Sequence, residues 1–229
     1  AVTAMLARVY CWAGEYGNAY KEAKEVVDAT YSTGSTSTAS CFNFSNSLTT
    51  NRKDYNSIIM TFFKSTCYED YLPYMTKGND VVLVVNTTNL FGDEAGADDR
   101  NLDLFGDWDG GDIKYSFKYD IKEGTSGTDM IPAIRLSEMY YIMGEYFAYK
   151  DEFSKAGEML DKVRYARGIS TTNLASSIGS LEVFHTHLIK EMRREFVGEG
   201  QMFFQYKRLD QKPKDNVVFV FDKPNNEDI

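Results

Sequence analysis

The sequence predicts a mainly α fold of tetratricopeptide-like helical hairpins, with long irregular loops and a few short strands. Three observations predict it. Apolar residues recur at three- and four-residue intervals over 1–13, 18–30, 132–149, 153–167 and 181–197, the period that gives a helix one buried face. Two joints between these segments carry the same turn, Gly14-Glu15-Tyr16-Gly17-Asn18-Ala19 and Asp151-Glu152-Phe153-Ser154-Lys155-Ala156. An aromatic residue followed three positions later by alanine is the spacing of a tetratricopeptide-type hairpin, with a general antiparallel helix pair as the plainer alternative. The hundred-odd residues between the two turns lack that pattern, so they form an insertion in a helical scaffold.

Residues 1–30 form the first hairpin. Met5, Leu6, Val9, Tyr10 and Ala13 make the apolar face of its first helix, and Ala19, Ala23, Val26 and Val27 that of its second. Residues 31–128 are the inserted region. Tyr31 to Thr50, rich in Ser, Thr, Asn and Gly, predicts a surface loop. Ser57 to Phe63 predicts a strand, and Asp80 to Val85 a strand or a helix fragment. Residues 91–112, dense in glycine and aspartate, predict loop, and the alternation of Tyr115, Phe117 and Tyr119 with polar residues predicts a strand.

Residues 129–208 form the helical core. Asp129 is placed to cap a helix running from Pro132 to Tyr149, with proline in its first turn. Ile134, Leu136, Met139, Tyr140, Met143 and Phe147 cover most of its circumference, which makes it central. Gly144 in its middle costs about 1 kcal/mol of helix propensity, as expected where another helix approaches closely. Residues 209–229 are a C-terminal segment, and 1–229 is expected to be a single domain.

The most informative stretch is 187–208. Leu181, Phe184, Leu188, Met192 and Phe196 share one helical face, while Glu191, Arg193, Arg194 and Glu195 occupy the others. Those charges form either a solvated face or a partly buried ionic network, and Arg135 and Glu138, one turn apart, are placed to pair with each other or with them. Gly198 and Gly200 then permit a left-handed turn before a short aromatic helix carrying Met202, Phe203 and Tyr206.

The run Glu191-Met-Arg-Arg-Glu-Phe-Val-Gly-Glu-Gly-Gln-Met-Phe-Phe-Gln-Tyr-Lys-Arg208 resembles the E-x-R-R-E-F-x-G-E-G-x-x-F/W-F-x-L-K-R signature of the SusD/RagB family. Asp98/Asp99-x-Arg100, Lys118-Tyr119 and Asp129-x-x-Pro132-x-Ile134-Arg135-Leu-Ser-Glu138-Met-Tyr140 look like further landmarks in the family's order. The resemblance implies a SusD-like C-terminal portion of an outer-membrane lipoprotein of Bacteroidetes. Such proteins bind nutrients, most often glycans, at the cell surface beside a SusC-like TonB-dependent outer-membrane transporter. It covers 1–30 and 98–208 well and 31–97 poorly. The chain starts inside a helical pattern, with no signal peptide or lipobox cysteine, so the lipid anchor is expected in a longer parent.

Composition narrows the chemistry. A net charge of −9 with no basic stripe argues against nucleic acid as a partner. Three irregularly spaced cysteines suit neither a zinc site nor a disulfide framework. The two histidines, His185 and His187, point about 200° apart on a helix and cannot chelate one metal. Asp107-Trp108-Asp109-Gly-Gly-Asp112 has the oxygen density of a calcium loop without the EF-hand spacing. Glu191, Glu195 and Glu199 are aligned for acid-base work, but the arginines between them make ion pairing their expected use. No cofactor, no metal and no catalytic residue is expected.

What remains is aromatic residues in loops. Tyr71 and Tyr74 lie near Pro73 with Tyr68, and Phe105, Trp108 and Tyr115 flank the Asp/Gly loop with Asp107 and Asp109. Sugar rings stack on such rings while neighbouring carboxylates bond their hydroxyls; the alternative is that the rings anchor a long loop. The sequence therefore predicts a non-enzymatic glycan-binding protein, with Trp108, Phe105, Asp107, Asp109, Tyr115, Tyr71 and Tyr74 as candidate ligand residues. The rival is a protein-interaction scaffold that docks on the transporter and holds no ligand in this portion.

Overall fold

The computed structural model describes residues 1–33, 37–75, 84–107, 110, 112–119 and 129–209, without the side chains of residues 68, 72 and 75. Its first half contains helices α1 (Val2–Trp12) and α2 (Tyr16–Val27), strands β1 (Thr30–Ser32), β2 (Thr38–Ser40) and β3 (Ile58–Phe63), helix α3 (Cys67–Met75), strand β4 (Val84–Asn86) and helices α4 (Thr87–Phe91) and α5 (Asp99–Leu104). Strands β5 (Phe105–Asp107), β6 (Ile113–Ser116) and β7 (Met130–Arg135) follow, then helices α6 (Leu136–Ala148), α7 (Phe153–Ala166), α8 (Leu181–Glu195) and α9 (Met202–Arg208). The fold is mainly α. The described residues gather into two compact units, one of Ala1–Asn46, Asp54–Thr61 and Pro132–Glu191, the other of Ser47–Lys53, the described part of Phe62–Ile131 and the residues from Met192 on.

In the first unit α1 and α2 form one antiparallel hairpin and α6 and α7 another, with α2 packed on α6. The two turns are the same turn. Gly14 and Asp151 occupy the left-handed position at φ 78° and 59°. Glu15 N donates to Tyr10 O and Glu152 N to Phe147 O, both at 2.9 Å, and the two glutamates share φ and ψ to within a few degrees. Ala19 and Ala156 then start the return helices at 0 % exposure, small enough for each helix to lie close to its partner. Tyr16 stacks on Tyr149 and Tyr20 on Tyr146, centroids 4.0 and 4.4 Å apart, which ties the first hairpin to the second.

The buried stripe of α1 is Ala4, Ala7 and Cys11, whereas Leu6 and Val9, expected inside, lie 40 % and 54 % exposed. Small residues facing Ala19 and Ala23 bring the helix axes together, and that contact decides which side of a largely apolar helix is buried. Arg8 then crosses from α1 to the first turn of α6. Its Nε and Nη2 donate to the Glu138 carboxylate at 2.6 and 2.5 Å and Nη2 to Ala133 O at 2.6 Å. A carboxylate at a helix N-terminus is favourable in its own right.

Two glycines mark close approaches. A Cβ on Gly144 would sit 3.2 Å from the Phe184 ring and 3.4 Å from Ala156 O, the helix approach expected at that position. A Cβ on Gly157 would lie 2.6 Å from backbone atoms of Leu174 and Ala175. A ring edge can yield and a backbone cannot. Gly157→Ala is expected to lower stability by about 1–3 kcal/mol in urea titration, and Gly144→Ala by less. Equal midpoints for the two variants would contradict this.

The second unit is built on the antiparallel sheet β4-β6-β5, with Val84 opposite Tyr115 and Gly106 opposite Tyr115 on the other side. Leu48, Val85, Leu90, Phe91, Leu104, Phe105 and Val197 form its buried cluster. Strands β3 and β7 make a separate two-stranded sheet and β1 and β2 a short hairpin.

Four expectations are corrected. Pro132 to Arg135 is strand, and the central helix starts at Leu136, because this segment pairs with β3. Cys67–Met75 is helix, so Tyr71 and Tyr74 stand on α3 and not in a loop. The Asp/Gly-rich region contains α5, capped by Asp98, whose Oδ1 accepts Arg100 N at 3.0 Å. The Ser/Thr-rich loop folds in part into β1 and β2, with Thr30 opposite Ser40. Trp108, Asp109, most of the 80–85 run and all of 210–229 lie outside the described residues.

Candidate functional site

The signature at the end of α8 is a buried electrostatic lattice in the second unit. Asp98 grips Arg100 with both oxygens, accepting from Nε at 2.9 Å and Nη2 at 2.8 Å, and Arg100 Nη1 reaches Glu195 Oε2 at 3.3 Å. Arg194 donates to Leu90 O and Phe91 O at the end of α4, each at 3.0 Å, and to Glu94 Oε2 at 2.7 Å, with its guanidinium carbon 5.1 Å from the Phe91 ring centroid. Its Nη1 also lies 3.6 Å from Asp98 Oδ2. Lys118 Nζ donates to Glu195 O at 2.7 Å and Glu199 Oε1 at 2.6 Å. Three cations and four carboxylates nearly neutralise one another, which is what permits such burial.

The other expected network residues lie apart from this lattice. In the first unit Glu138 holds Arg8, Glu191 lies 4.0 Å from Arg164, and Arg135 Nη1 donates to Ser57 Oγ at 3.4 Å. Arg193, named beside Arg194 in the sequence, is only half buried, and its Nη2 finds no hydrogen-bond partner among the described residues.

Glycines with positive φ, Gly198 at 73° and Gly200 at 70°, turn the chain so that Glu199 faces Lys118. Lys118 in turn fixes the segment that carries the aromatic residues. The Tyr115 ring reaches from β6 over Gly106 of β5, where a Cβ would come within 2.7 Å of it, so any larger residue at 106 would displace the ring. Tyr115 meets Phe117 edge to face at 5.9 Å, and Arg52 covers Phe117 at 4.5 Å. Two residues on, the buried Tyr119 is stacked by Tyr71 at 4.7 Å and approached by Lys53 Nζ at 5.0 Å. Lys53 Nζ also donates to Met130 O at 3.0 Å.

The candidate ligand residues thus divide. Phe105 is core, 6 % exposed and edge-on to Phe91 at 5.8 Å. Tyr115 and Tyr71 are half buried, each with a ring contact, and Tyr74 is 47 % exposed. Asp107 is exposed, 3.8 Å from Lys114 Nζ. Asp112, counted in the possible calcium loop, accepts from Thr88 Oγ1 at 2.6 Å, and its carbonyl accepts Thr87 N at 3.0 Å. Among the described residues no three His, Cys, Asp or Glu side chains converge as a metal-ligand set. Burial pushes the Tyr71 phenol up. Arg52 and Lys53 were not singled out from the sequence. The only trace of them is a basic doublet between an uncharged Ser/Thr/Asn stretch and Asp54.

Residues 7–226 match the SusD family. The chain belongs to that family. Among curated proteins none matches it. Its SusD fold is shared with solved structures at low identity. A SusD superfamily protein of Bacteroides thetaiotaomicron is 24 % identical with a TM-score of 0.65, covering 91 % of this chain and 49 % of its own. A SusD-like carbohydrate binding protein of Bacteroides vulgatus is 20 % identical with a TM-score of 0.63, over 92 % and 45 %. A laminarin binding SusD-like protein is 17 % identical with a TM-score of 0.59, over 91 % and 54 %. The chain spans about half the length of these SusD structures. No helix among its described residues is long and apolar enough to cross a membrane.

Proposed function

We propose that this SusD-family chain is part of a non-enzymatic protein that captures carbohydrate at the outer-membrane surface and passes it to a TonB-dependent, SusC-like transporter. The observation that carries the reading is the family match over residues 7–226, in a fold whose solved examples include carbohydrate- and laminarin-binding proteins. The strip that carries the half-buried Tyr115 ring supports it, with Tyr119 as its buried anchor. The strip is held in place by Lys118, and Tyr74 and Trp108 are the rings we assign to the ligand, with Asp107 and Asp109 bonding hydroxyls. Stacking supplemented by neutral hydrogen bonds gives modest affinity that changes little with salt, unlike binding of a polyanion.

The test is calorimetric titration of the chain, and of its full-length parent, with laminarihexaose, maltohexaose and xylohexaose at 50 and 500 mM salt. Binding of at least one glycan with similar affinity at both salt concentrations is expected, weakened tenfold or more by Trp108→Ala or Tyr74→Ala. Unchanged binding by both variants would remove these rings from the site. Failure of every glycan to bind either protein favours the second reading, a docking scaffold. The exposed apolar residues Val2, Leu6 and Val9 on α1 and Phe203 and Phe204 on α9 favour that alternative.

A further inference from the structure

A concave surface lies in the first unit, lined by none of the residues assigned to the ligand above. It is an open cleft of about 600 Å³ where the tip of the first hairpin meets the end of α6, lined by Gly14 to Asn18 on one side and Tyr146, Tyr149 and Lys150 on the other. Its size falls within the ~300–1,000 Å³ of small-molecule sites. The walls are preformed. Tyr16 and Tyr149 stack, Asn18 Nδ2 donates to Glu15 Oε2 at 2.7 Å, and Lys150 Nζ donates to the Tyr146 hydroxyl at 3.1 Å.

The glycine at 17 is what the turn itself does not explain. A Cβ there would meet nothing within 4 Å, and its φ is that of an ordinary helix. The second hairpin, with the same turn, has Ser154 at the equivalent place. Glycine is also a poorer helix former than serine or alanine. A side chain at 17 would project into the cleft, so its absence keeps the cleft open and leaves the backbone of α2's first turn within reach of a ligand.

From the cleft's chemistry we infer that it is a second carbohydrate site, taking a short run of neutral sugar rings. One carboxylate (Glu15) and one ammonium (Lys150) cancel, so neither an anion nor a cation is favoured. The lining offers a carboxylate, an ammonium, an amide and phenol hydroxyls beside tyrosine rings, which suits a ligand whose every ring edge carries hydroxyls. Burial and the Tyr149 hydrogen bond push the Tyr16 phenol up.

The inference rests on the carbohydrate reading above, and the experiment separates the two. Amide spectra of ¹⁵N-labelled chain are recorded with laminarihexaose, maltohexaose and xylohexaose, for wild type, Gly17→Leu and Lys150→Ala. A glycan that binds is expected to shift the amides of Gly14 to Asn18. Gly17→Leu should abolish those shifts while leaving the shifts around Tyr115 and the melting temperature intact, and Lys150→Ala should weaken them several-fold. Shifts around Tyr115 without any at Gly14 to Asn18 in wild type overturn the second site and leave the first standing. Shifts at Gly14 to Asn18 that survive both substitutions overturn it too. A chain that responds to none of the glycans overturns both readings. Should Gly17→Leu not fold, Lys150→Ala and Asn18→Ala, both on exposed residues, decide alone.

Discussion

Arg100→Ala is expected to cost about 3–5 kcal/mol, a large part of the whole stability of a domain. Arg100 is 1 % exposed and Asp98 fully buried, and they share a two-pronged hydrogen bond. Removing the guanidinium leaves the Asp98 carboxylate beside Arg194 alone, at 3.6 Å, and takes from Glu195 its 3.3 Å partner. The cost is that of stranded carboxylates and is not the net worth of the pair, so Asp98→Asn combined with Arg100→Met should recover much of it. Arg193→Ala, one position from Arg194 and half buried, should lose no more than about 1 kcal/mol, in the range of exposed charges. Urea titrations of the three variants check the order. A loss for Arg193→Ala equal to that for Arg100→Ala would mean that burial and pairing do not govern this lattice.

That contrast shows where the sequence is legible. Charges beside the Leu188, Met192 and Phe196 stripe announce an ionic network, but helical spacing alone does not say which of two adjacent arginines turns inward. Arg194 is selected by the carbonyls that end α4, a hundred residues away in sequence. The same division holds for the fold. Helices α1, α2, α6, α7 and α8 were readable because a 3.6-residue period is a local property. Helices α4 and α5 were hidden because each is too short to show a period and each is fixed by a cap, Asn86 Oδ1 accepting Asn89 N at 2.9 Å and Asp98 serving α5. At Pro132 to Arg135 a helix-compatible pattern is overridden by pairing with β3.

In the candidate site the aromatic residues of 105–119 were visible as types but not as contacts. Which rings are core depends on register. Gly106 lies opposite Tyr115, so the tyrosine spreads over a residue with no side chain, while Phe105 opposite Ser116 turns into the cluster with Phe91. A one-residue slip would exchange their faces. Arg52 and Lys53 are not legible in the sequence, because a cation over a ring leaves no periodic trace.

Asp54→Ala is expected to cost as much as Arg100→Ala, by a different combination of causes. Asp54 is 2 % exposed, and its Oδ2 accepts Arg167 Nη2 at 2.6 Å while Oδ1 accepts Ser45 N at 2.8 Å. Its backbone is left-handed at φ 52°, ψ 62°, and its carbonyl accepts both Ser57 N at 3.0 Å and Ser57 Oγ at 2.9 Å. Alanine loses the ion pair, about 3–5 kcal/mol when one buried partner is removed, and tolerates the left-handed conformation less well by about 1 kcal/mol. Asparagine keeps the conformation. It cannot keep both contacts, because Arg167 and Ser45 are both donors and an amide offers one oxygen and one NH₂. Asp54→Asn should therefore fall between wild type and Asp54→Ala. Arg167, whose guanidinium also lies 4.9 Å from the Phe44 ring centroid, supplies the control. Arg167→Met removes the cation but keeps an apolar chain against Phe44, so in the double variant with Asp54→Ala no charge is stranded and the loss should be smaller than the sum of the singles. Strict additivity in the urea double-mutant cycle would show that the two side chains do not act as a pair.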